Sequence, residues 1–441
     1  MIGLKTFPQG GVHPFERKSF SEHKEIWNAA VPSVCIVPLS QHIGKPSEPQ
    51  VEPGDQVREG QLVGKAPGFV SANIHAPIPG EVKELRNVYL PNGVSTRAVV
   101  IELSGEFDRL GKQQEPKAWR NLDRKTLISA IQENGIVGMG GATFPTHVKY
   151  SIPQGKTCDW MILNGVECEP YLTADHRLML EYTDQVLEGL EIAARVLEAD
   201  HVAIGIEENK PDAIQRMKRR VKERGLEFDV VVLTTKYPQG GEKQLIKAVT
   251  GREVPSGGLP IDVGCMVSNA GTLNAVYEAV ALGKPLMERV VTVTGGAIRD
   301  PGNLKARIGT TFGDLIDECG GFSEIPKKVV AGGPMTGFAV FDLDTPLIKG
   351  TSGVLALTPR EVNEAPRTPC INCGRCVAAC PIGLQPTTLF KYIDHEQYAS
   401  ADSLGLMDCI ECGACGYVCP AHIPLVQGLR IGKRLARNRK G

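Results

Sequence analysis

No stretch of this 441-residue chain stays apolar for the roughly 18 residues that a bilayer-crossing helix needs. Its opening residues, MIGLKTFPQGGVHPFERK, carry neither an apolar segment nor a small-residue cleavage site. An ordinary secretory leader is therefore not expected. A surplus of either charge is also missing. The formal net charge is −1, so nothing asks for nucleic acid or a strongly charged partner surface. Only the end departs from this balance: GLRIGKRLARNRKG, from Gly428, holds six Lys or Arg. It reads as a solvated basic tail or as a contact for an anionic lipid surface or acidic partner. A disulfide framework is absent as well. Cys35, Cys158, Cys168, Cys265 and Cys319 are scattered and odd in number, which fits a reducing compartment. The expectation is a protein of the cytosol or a cytosolic membrane face, too long for one core and divided into three or four domains.

The other eight of the 13 cysteines fall in two runs, CINCGRCVAACP from Cys370 and CIECGACGYVCP from Cys409. Each follows C-x2-C-x2-C-x3-C-P, the bacterial ferredoxin run, in which three thiolates hold one cluster and the fourth reaches the other. One [4Fe–4S] is therefore expected on Cys370, Cys373, Cys376 and Cys419. A second is expected on Cys409, Cys412, Cys415 and Cys380. Structural zinc also uses paired C-x2-C units, but it leaves the third cysteine and the repeated Cys–Pro unexplained. The segment between the runs is helix-compatible, which predicts a compact helical module and a one-electron relay.

A relay needs a source of electrons. GIVGMGGATFPTHVKY, from Gly135, offers Gly138, Gly140 and Gly141 with Lys149. Backbone N–H groups in such a loop can face phosphate, and a lysine can complete the neutralisation. A helix-like stretch precedes it, so it is no Rossmann fingerprint. In WMILNGVECEPYLTADHR a strand runs into a loop with Asn164, Glu167 and Glu169. In TKYPQGGEKQLIKAVTG a Gly240–Gly241–Glu242 turn opens a helix after the strand DVVVLT. In VSNAGTLNAVYEAVALG Asn269 and Thr272 stand at a helix start, where an N-cap alone would explain either one.

These four segments, in this order, resemble the flavin-carrying chain of respiratory complex I. GMGGATFPTHVK, NGVECEPYLTADHRLM, FPQGGVHPFERK and the two cysteine runs resemble more closely the RnfC family, the C component of the Rnf electron-transport complex. By matching positions, the resemblance implies FMN held by Gly138, Gly140, Gly141, Lys149, Asn164, Glu167, Asn269 and Thr272, with Tyr237 and Gly240 on the pocket wall. It implies NAD(H) over the flavin near Phe144, Glu169 and Glu242. Met139, Val166 and Gly241 stand where complex I's chain has an arginine, an aspartate and an acid, changes that bear on dinucleotide affinity. As partners it implies other Rnf subunits (the ferredoxin-like B component and membrane subunits), with ferredoxin reached indirectly. The location implied is peripheral, on the cytoplasmic face of the cell membrane. The activity implied is that of one component of an ion-translocating ferredoxin:NAD+ oxidoreductase, a translocase. A soluble flavin/iron–sulfur reductase of the cobalamin-reductase kind and a non-catalytic electron-relay adaptor are the alternatives.

The expected architecture is multidomain α/β. Residues 1–105 form an N-terminal extension and a barrel-sandwich, lipoyl-like domain, whose hairpin tip near GFVSAN lacks a carrier lysine. Residues 106–285 form the Rossmann-like FMN/NADH-binding domain. VVTVTGGAIRDPGNLKARIGTTFGDLIDECGGF, from Val290, reads as a strand, a turn and a helix within a β-grasp (SLBB) domain, 286–358. Residues 359–441 hold the ferredoxin domain and basic tail. His13, His75, His147 and His176 lie at no metal spacing. Cys168, between two acids, reads as a packed thiol and Trp160 as core.

Overall fold

A computed structural model describes residues 4–438. The start of the N-terminal stretch and the last three residues of the basic tail, from Arg439, lie outside the described residues. At the centre is a parallel sheet of four strands, ordered Phe228–Leu233, His201–Glu207, Trp160–Asn164, Cys265–Asn269. The inner strands are nearly continuous apolar runs, as burial on both faces demands. Leu187, Leu190, Leu273 and Val276 pack one face of the sheet, and Leu245, Ile246 and Val249 pack the other. Trp160 is only partly buried at the strand's start, tilted against His201. The order in which strands are added reverses between Trp160–Asn164 and Cys265–Asn269, which lie side by side and parallel. Open α/β sheets bind ligands outside the strand C-termini at such a point.

Two small antiparallel sheets flank a core of Val37, Val63, Ile74, Val82 and Ile101 in the barrel. A six-stranded sheet with the helix Phe312–Glu318 forms the β-grasp unit. Where the sequence reads as a turn, it contains a second strand, Gly302–Arg307. Its charged residues disguise it, because their charges are paired inside the protein. Lys305 meets Glu288 at 2.9 Å and Arg307 meets Glu59 of the barrel at 2.8 Å. Lys349 ties three units together: its Nζ donates to the carbonyls of Asn73 and Gly135, both at 2.7 Å. Burial pushes that lysine down to about 7. The segment between the cysteine runs is helical, as expected, over Pro386–Asp394 and Tyr398–Ser403. These helices pack on Leu425–Asn438 through Leu389, Ile393, Tyr398 and Leu429.

The N-terminal extension is a strap and not part of the barrel. Lys5 bridges to Leu233 at the edge of the parallel sheet, and Val12 pairs with Tyr237. Between them, Gly11 N–H donates to the Ala379 carbonyl at 2.9 Å. Farther on, Ile26–Asn28 joins the β-grasp sheet beside Gly302–Arg307.

Candidate functional site

Asn164 and Asn269 end the two strands at the reversal point and are register partners. Both side chains are engaged within the protein. Asn269 caps the helix Ala270–Ala281, its Oδ1 accepting from Gly271 and Thr272 N–H, while Nδ2 donates to Asp175 Oδ2 at 2.5 Å. Asn164 Nδ2 donates to the Gly240 carbonyl at 2.8 Å, and its Oδ1 accepts from Val166 N–H. The two asparagines therefore frame the site and hold its loops in place.

Over this edge lies the glycine loop. Gly138 N–H donates to the Phe144 carbonyl at 2.9 Å, closing a tight hairpin, and Met139 N–H donates to Thr272 Oγ1 at 2.8 Å. Gly140 approaches Asn269 so closely that a Cβ would lie 3.2 Å from the Asn269 Cβ. Gly141 has φ +118 with open space where a side chain would stand, a conformation reserved for glycine. Exposed backbone thus faces outward at the sheet's ligand-binding edge. Lys149 lies one helix away, paired with Glu242 at 2.7 Å. Gln244 Oε1, buried and without a hydrogen-bond partner among the described residues, sits beside Gly241. Peptide N–H groups and one ammonium as donors, with an unfilled amide oxygen as acceptor, fit a flavin phosphate and ring.

Several residues occupy places that their sequence positions did not disclose. Glu167 spends both carboxylate oxygens on the N–H groups of Asp175 and His176, capping the helix Ala174–Glu181. Glu169 accepts from Met335 N–H, Thr336 N–H and the Thr336 hydroxyl, and burial raises its pKa. Half-buried, it faces the β-grasp loop through these bonds. Tyr237, expected on the wall of the flavin pocket, donates its hydroxyl to the Cys412 carbonyl at 2.6 Å. Phe144 stays partly exposed beside the glycine loop. Glu242 is held on the side of Lys149. Cys168 is a packed thiol, pushed up by burial and then by Glu207.

Sequence reasoning missed Asp175 and Lys18. Asp175 sits between Asn269 and Glu167, and burial followed by the Glu167 charge raises its pKa. Lys18 Nζ gathers the carbonyls of Glu167, Glu169 and Leu172, at 2.9, 3.0 and 2.5 Å, fixing the loop's path. A charged residue in an N-terminal extension gives no local sign of such burial.

The cysteines sort into two quartets. Cys380, Cys409, Cys412 and Cys415 line one hollow with Leu384, Val426 and Leu429. Cys370, Cys373, Cys376 and Cys419 line another with Thr387 and Ala421. Each run repeats the other's backbone. Asn372 and Glu411 have φ 53 and 57, Gly374 and Gly413 have φ 74 and 80. Asn372 and Glu411 N–H each donate to the preceding cysteine's Sγ at 3.4 Å. Burial, then the neighbouring thiols Cys409 and Cys380, push Cys412 up to about 11. Loading iron there must displace protons.

Four family models match the chain: an RnfC barrel sandwich hybrid domain at residues 5–106, a Nuo51 FMN-binding domain at 131–278, an SLBB domain at 290–339, and a 4Fe-4S dicluster domain at 369–423. The C component of the proton-translocating ferredoxin:NAD(+) oxidoreductase complex of Clostridium ljungdahlii is 49% identical, over 97% of this chain and 93% of that protein. Its counterpart in the Na(+)-translocating ferredoxin:NAD(+) oxidoreductase complex of Acetobacterium woodii is 44% identical, over 98% of both. The corresponding component of the ion-translocating oxidoreductase complex of Rhodobacter capsulatus is 43% identical, over 98% of this chain and 83% of its own length. A solved NAD+-reducing [NiFe]-hydrogenase in the H2-reduced state shares the fold alone, with a TM-score of 0.53 at 19% identity over 75% of this chain and 64% of that one. With such identity sustained along nearly its whole length, the chain belongs to the RnfC family, the C components of Rnf-type ion-translocating oxidoreductase complexes.

Proposed function

We propose that this chain is the component of a ferredoxin:NAD+ oxidoreductase complex that passes electrons between NAD(H), FMN and two [4Fe–4S] clusters. When bound, FMN exchanges an electron pair with nicotinamide and single electrons with iron–sulfur clusters. One observation carries the reading. The turn beginning at Tyr237, whose Gly240 carbonyl is held by Asn164, also donates from the Tyr237 hydroxyl to Cys412. The strand-end pocket and the inner cysteine quartet thus share one rigid element.

The residues divide the labour. Gly138, Gly140, Gly141 and Lys149 hold the flavin phosphate and the near side of the ring. Asn164, Asn269, Thr272 and Glu167 fix the loops that shape the pocket, and Gly240 keeps its wall low. Glu242, at the mouth, and Phe144 are left to meet the dinucleotide. No side chain is needed as a general base, because the cofactors carry the hydride and the electrons. Cys380, Cys409, Cys412 and Cys415 hold the cluster nearer the flavin; Cys370, Cys373, Cys376 and Cys419 hold the outer one. No helix among the described residues is long and apolar enough to cross a membrane, and we assign the ion path to membrane partners. The chain itself is then peripheral, on the cytoplasmic face.

Anaerobic addition of NADH to the iron-loaded holoprotein tests the reading. Bleaching of the flavin followed by reduction of both clusters is the expected result. A flavin that stays oxidised would leave an electron-relay adaptor. Lys149→Ala should weaken FMN binding by about ten- to hundredfold, the worth of one charge-assisted contact to phosphate. Iron content should stay at the wild-type level. Glu242→Gln should raise the KM for NADH while the FMN content is kept; loss of flavin would move Glu242 into the flavin's own contacts.

A further inference from the structure

We infer that the β-grasp turn 333–336 is a clasp for the electron step between the flavin pocket and the inner cluster, with Thr336 and Arg430 as its positioning residues. The inference rests on the relay reading above and gives the β-grasp unit a part in it. The turn follows from its sequence, GGPMTG, between the strands Lys328–Ala331 and Phe338–Val340. Gly337 N–H donates to the Gly333 carbonyl at 2.9 Å and closes it. A Cβ on Gly333 would collide with Glu169 Oε2, so a glycine there lets the carboxylate of the flavin loop approach this closely.

From there one line of contacts crosses to the cysteines. Glu169 Oε1 accepts from the Thr336 N–H at 2.9 Å and from its hydroxyl, and Oε2 accepts from Met335 N–H at 3.2 Å. The Thr336 carbonyl accepts from the Arg430 guanidinium at 2.9 Å. Arg430 Nε lies 3.3 Å from Glu411 Oε2, and Glu411 Oε1 takes Lys433 Nζ at 2.7 Å. Lys433 also donates to the Cys409 carbonyl at 2.8 Å, and Glu411 N–H donates to Cys409 Sγ at 3.4 Å. A second seam runs beside the first. A Cβ on Gly413 would lie 2.6 Å from the Met335 carbonyl oxygen, and Met335 packs against Tyr237, Ala379 and Ala414. The outer run lacks this partner: Gly374, the counterpart of Gly413, has nothing within 4 Å of where its Cβ would be. Each transfer takes one electron from the flavin and gives it to the inner cluster, and the clasp residues exchange neither electrons nor protons. Their part is to hold donor and acceptor at a fixed approach. Arg430 and Lys433 also outnumber Glu411 beside Cys409, and net positive charge there favours the reduced cluster.

The test uses NADH and the holoprotein loaded with flavin and iron. Thr336→Val removes one hydrogen bond to a carboxylate, which should lower the closing constant of the clasp about tenfold. Hydrogen–deuterium exchange at the Met335 and Thr336 amides should quicken by about that factor. Stopped-flow traces should show prompt flavin bleaching and delayed reduction of the inner cluster. Thr336→Ser should restore both. Arg430→Gln should shift the inner cluster's reduced-to-oxidised ratio about tenfold toward oxidised, roughly 59 mV for one electron, and leave the outer cluster's potential in place. Arg430→Lys should keep the inner potential. Exchange or transfer unmoved by Thr336→Val would overturn the clasp, as would a Thr336→Ser variant that behaves like Thr336→Val. Equal shifts of both cluster potentials in Arg430→Gln would remove Arg430 from it. If Thr336→Val loses flavin or iron, Arg430→Gln decides. A wild-type flavin that NADH leaves oxidised would instead sink the relay reading.

Discussion

Cys380→Ala is expected to remove the cluster of the second run and spare that of the first, although Cys380 belongs to the first run in sequence. Cys419→Ala should do the reverse. Each variant should lose about half the iron, one cluster of two, and the surviving cluster's paramagnetic signal should identify which remains. The geometry behind this is the sorting of the thiols: Cys380 lines the hollow of Cys409, Cys412 and Cys415, while Cys419 lines that of Cys370, Cys373 and Cys376. The two losses should differ in consequence. Without the inner cluster, electrons from NADH should stop at the flavin. Without the outer one, the inner cluster should still be reduced while delivery to a protein acceptor fails. Loss of the same-run signal in either variant would refute the crossed ligation.

Gly10→Ala should uncouple the two halves while leaving each loaded. Gly10 has φ +66, and a Cβ there would stand 2.5 Å from the carbonyl carbon and oxygen of Cys380. Both contacts are backbone atoms beside a cluster ligand, so relief requires the strap and the ferredoxin module to part. A strain of about 1–3 kcal/mol converts to roughly a five- to 150-fold loss in the docking equilibrium constant. Stopped-flow reduction by NADH should show prompt flavin bleaching and slowed cluster reduction, with FMN and iron contents at wild-type levels. Gly54→Ala is the control. It shares a positive φ, +96, but has nothing within 4 Å, so it carries the backbone cost without the clash. Equal slowing in both variants would assign the effect to general destabilisation.

Much of this could be read from residue order, where chemistry is local. The cysteine spacings point to the cluster type, because short turns bring three sulfurs of each run together, and the structure lines each hollow with those three and the fourth thiol of the other run. The Asn269 cap, the helix opened by Glu242 and the strand at Trp160 follow from short-range propensity and periodicity. Long-range use of polar atoms is what stayed hidden. Glu167 and Glu169 stand two positions apart in one loop, yet one caps a helix and the other is bonded to Thr336. Nothing in VECEP distinguishes them. Tyr237 matched a flavin-wall position but extends to Cys412, a partner 175 residues away. The strand Gly302–Arg307 was masked by charges that only tertiary pairing with Glu288 and Glu59 explains.

The strap also bears on biogenesis. The segment around Gly10 leaves the ribosome hundreds of residues ahead of Cys380, the group it must press against, and a contact of that separation forms slowly. Until then the segment waits without its seat, so the strap's contacts with the backbone of Ala379 and Cys380 are among the last that this unit makes.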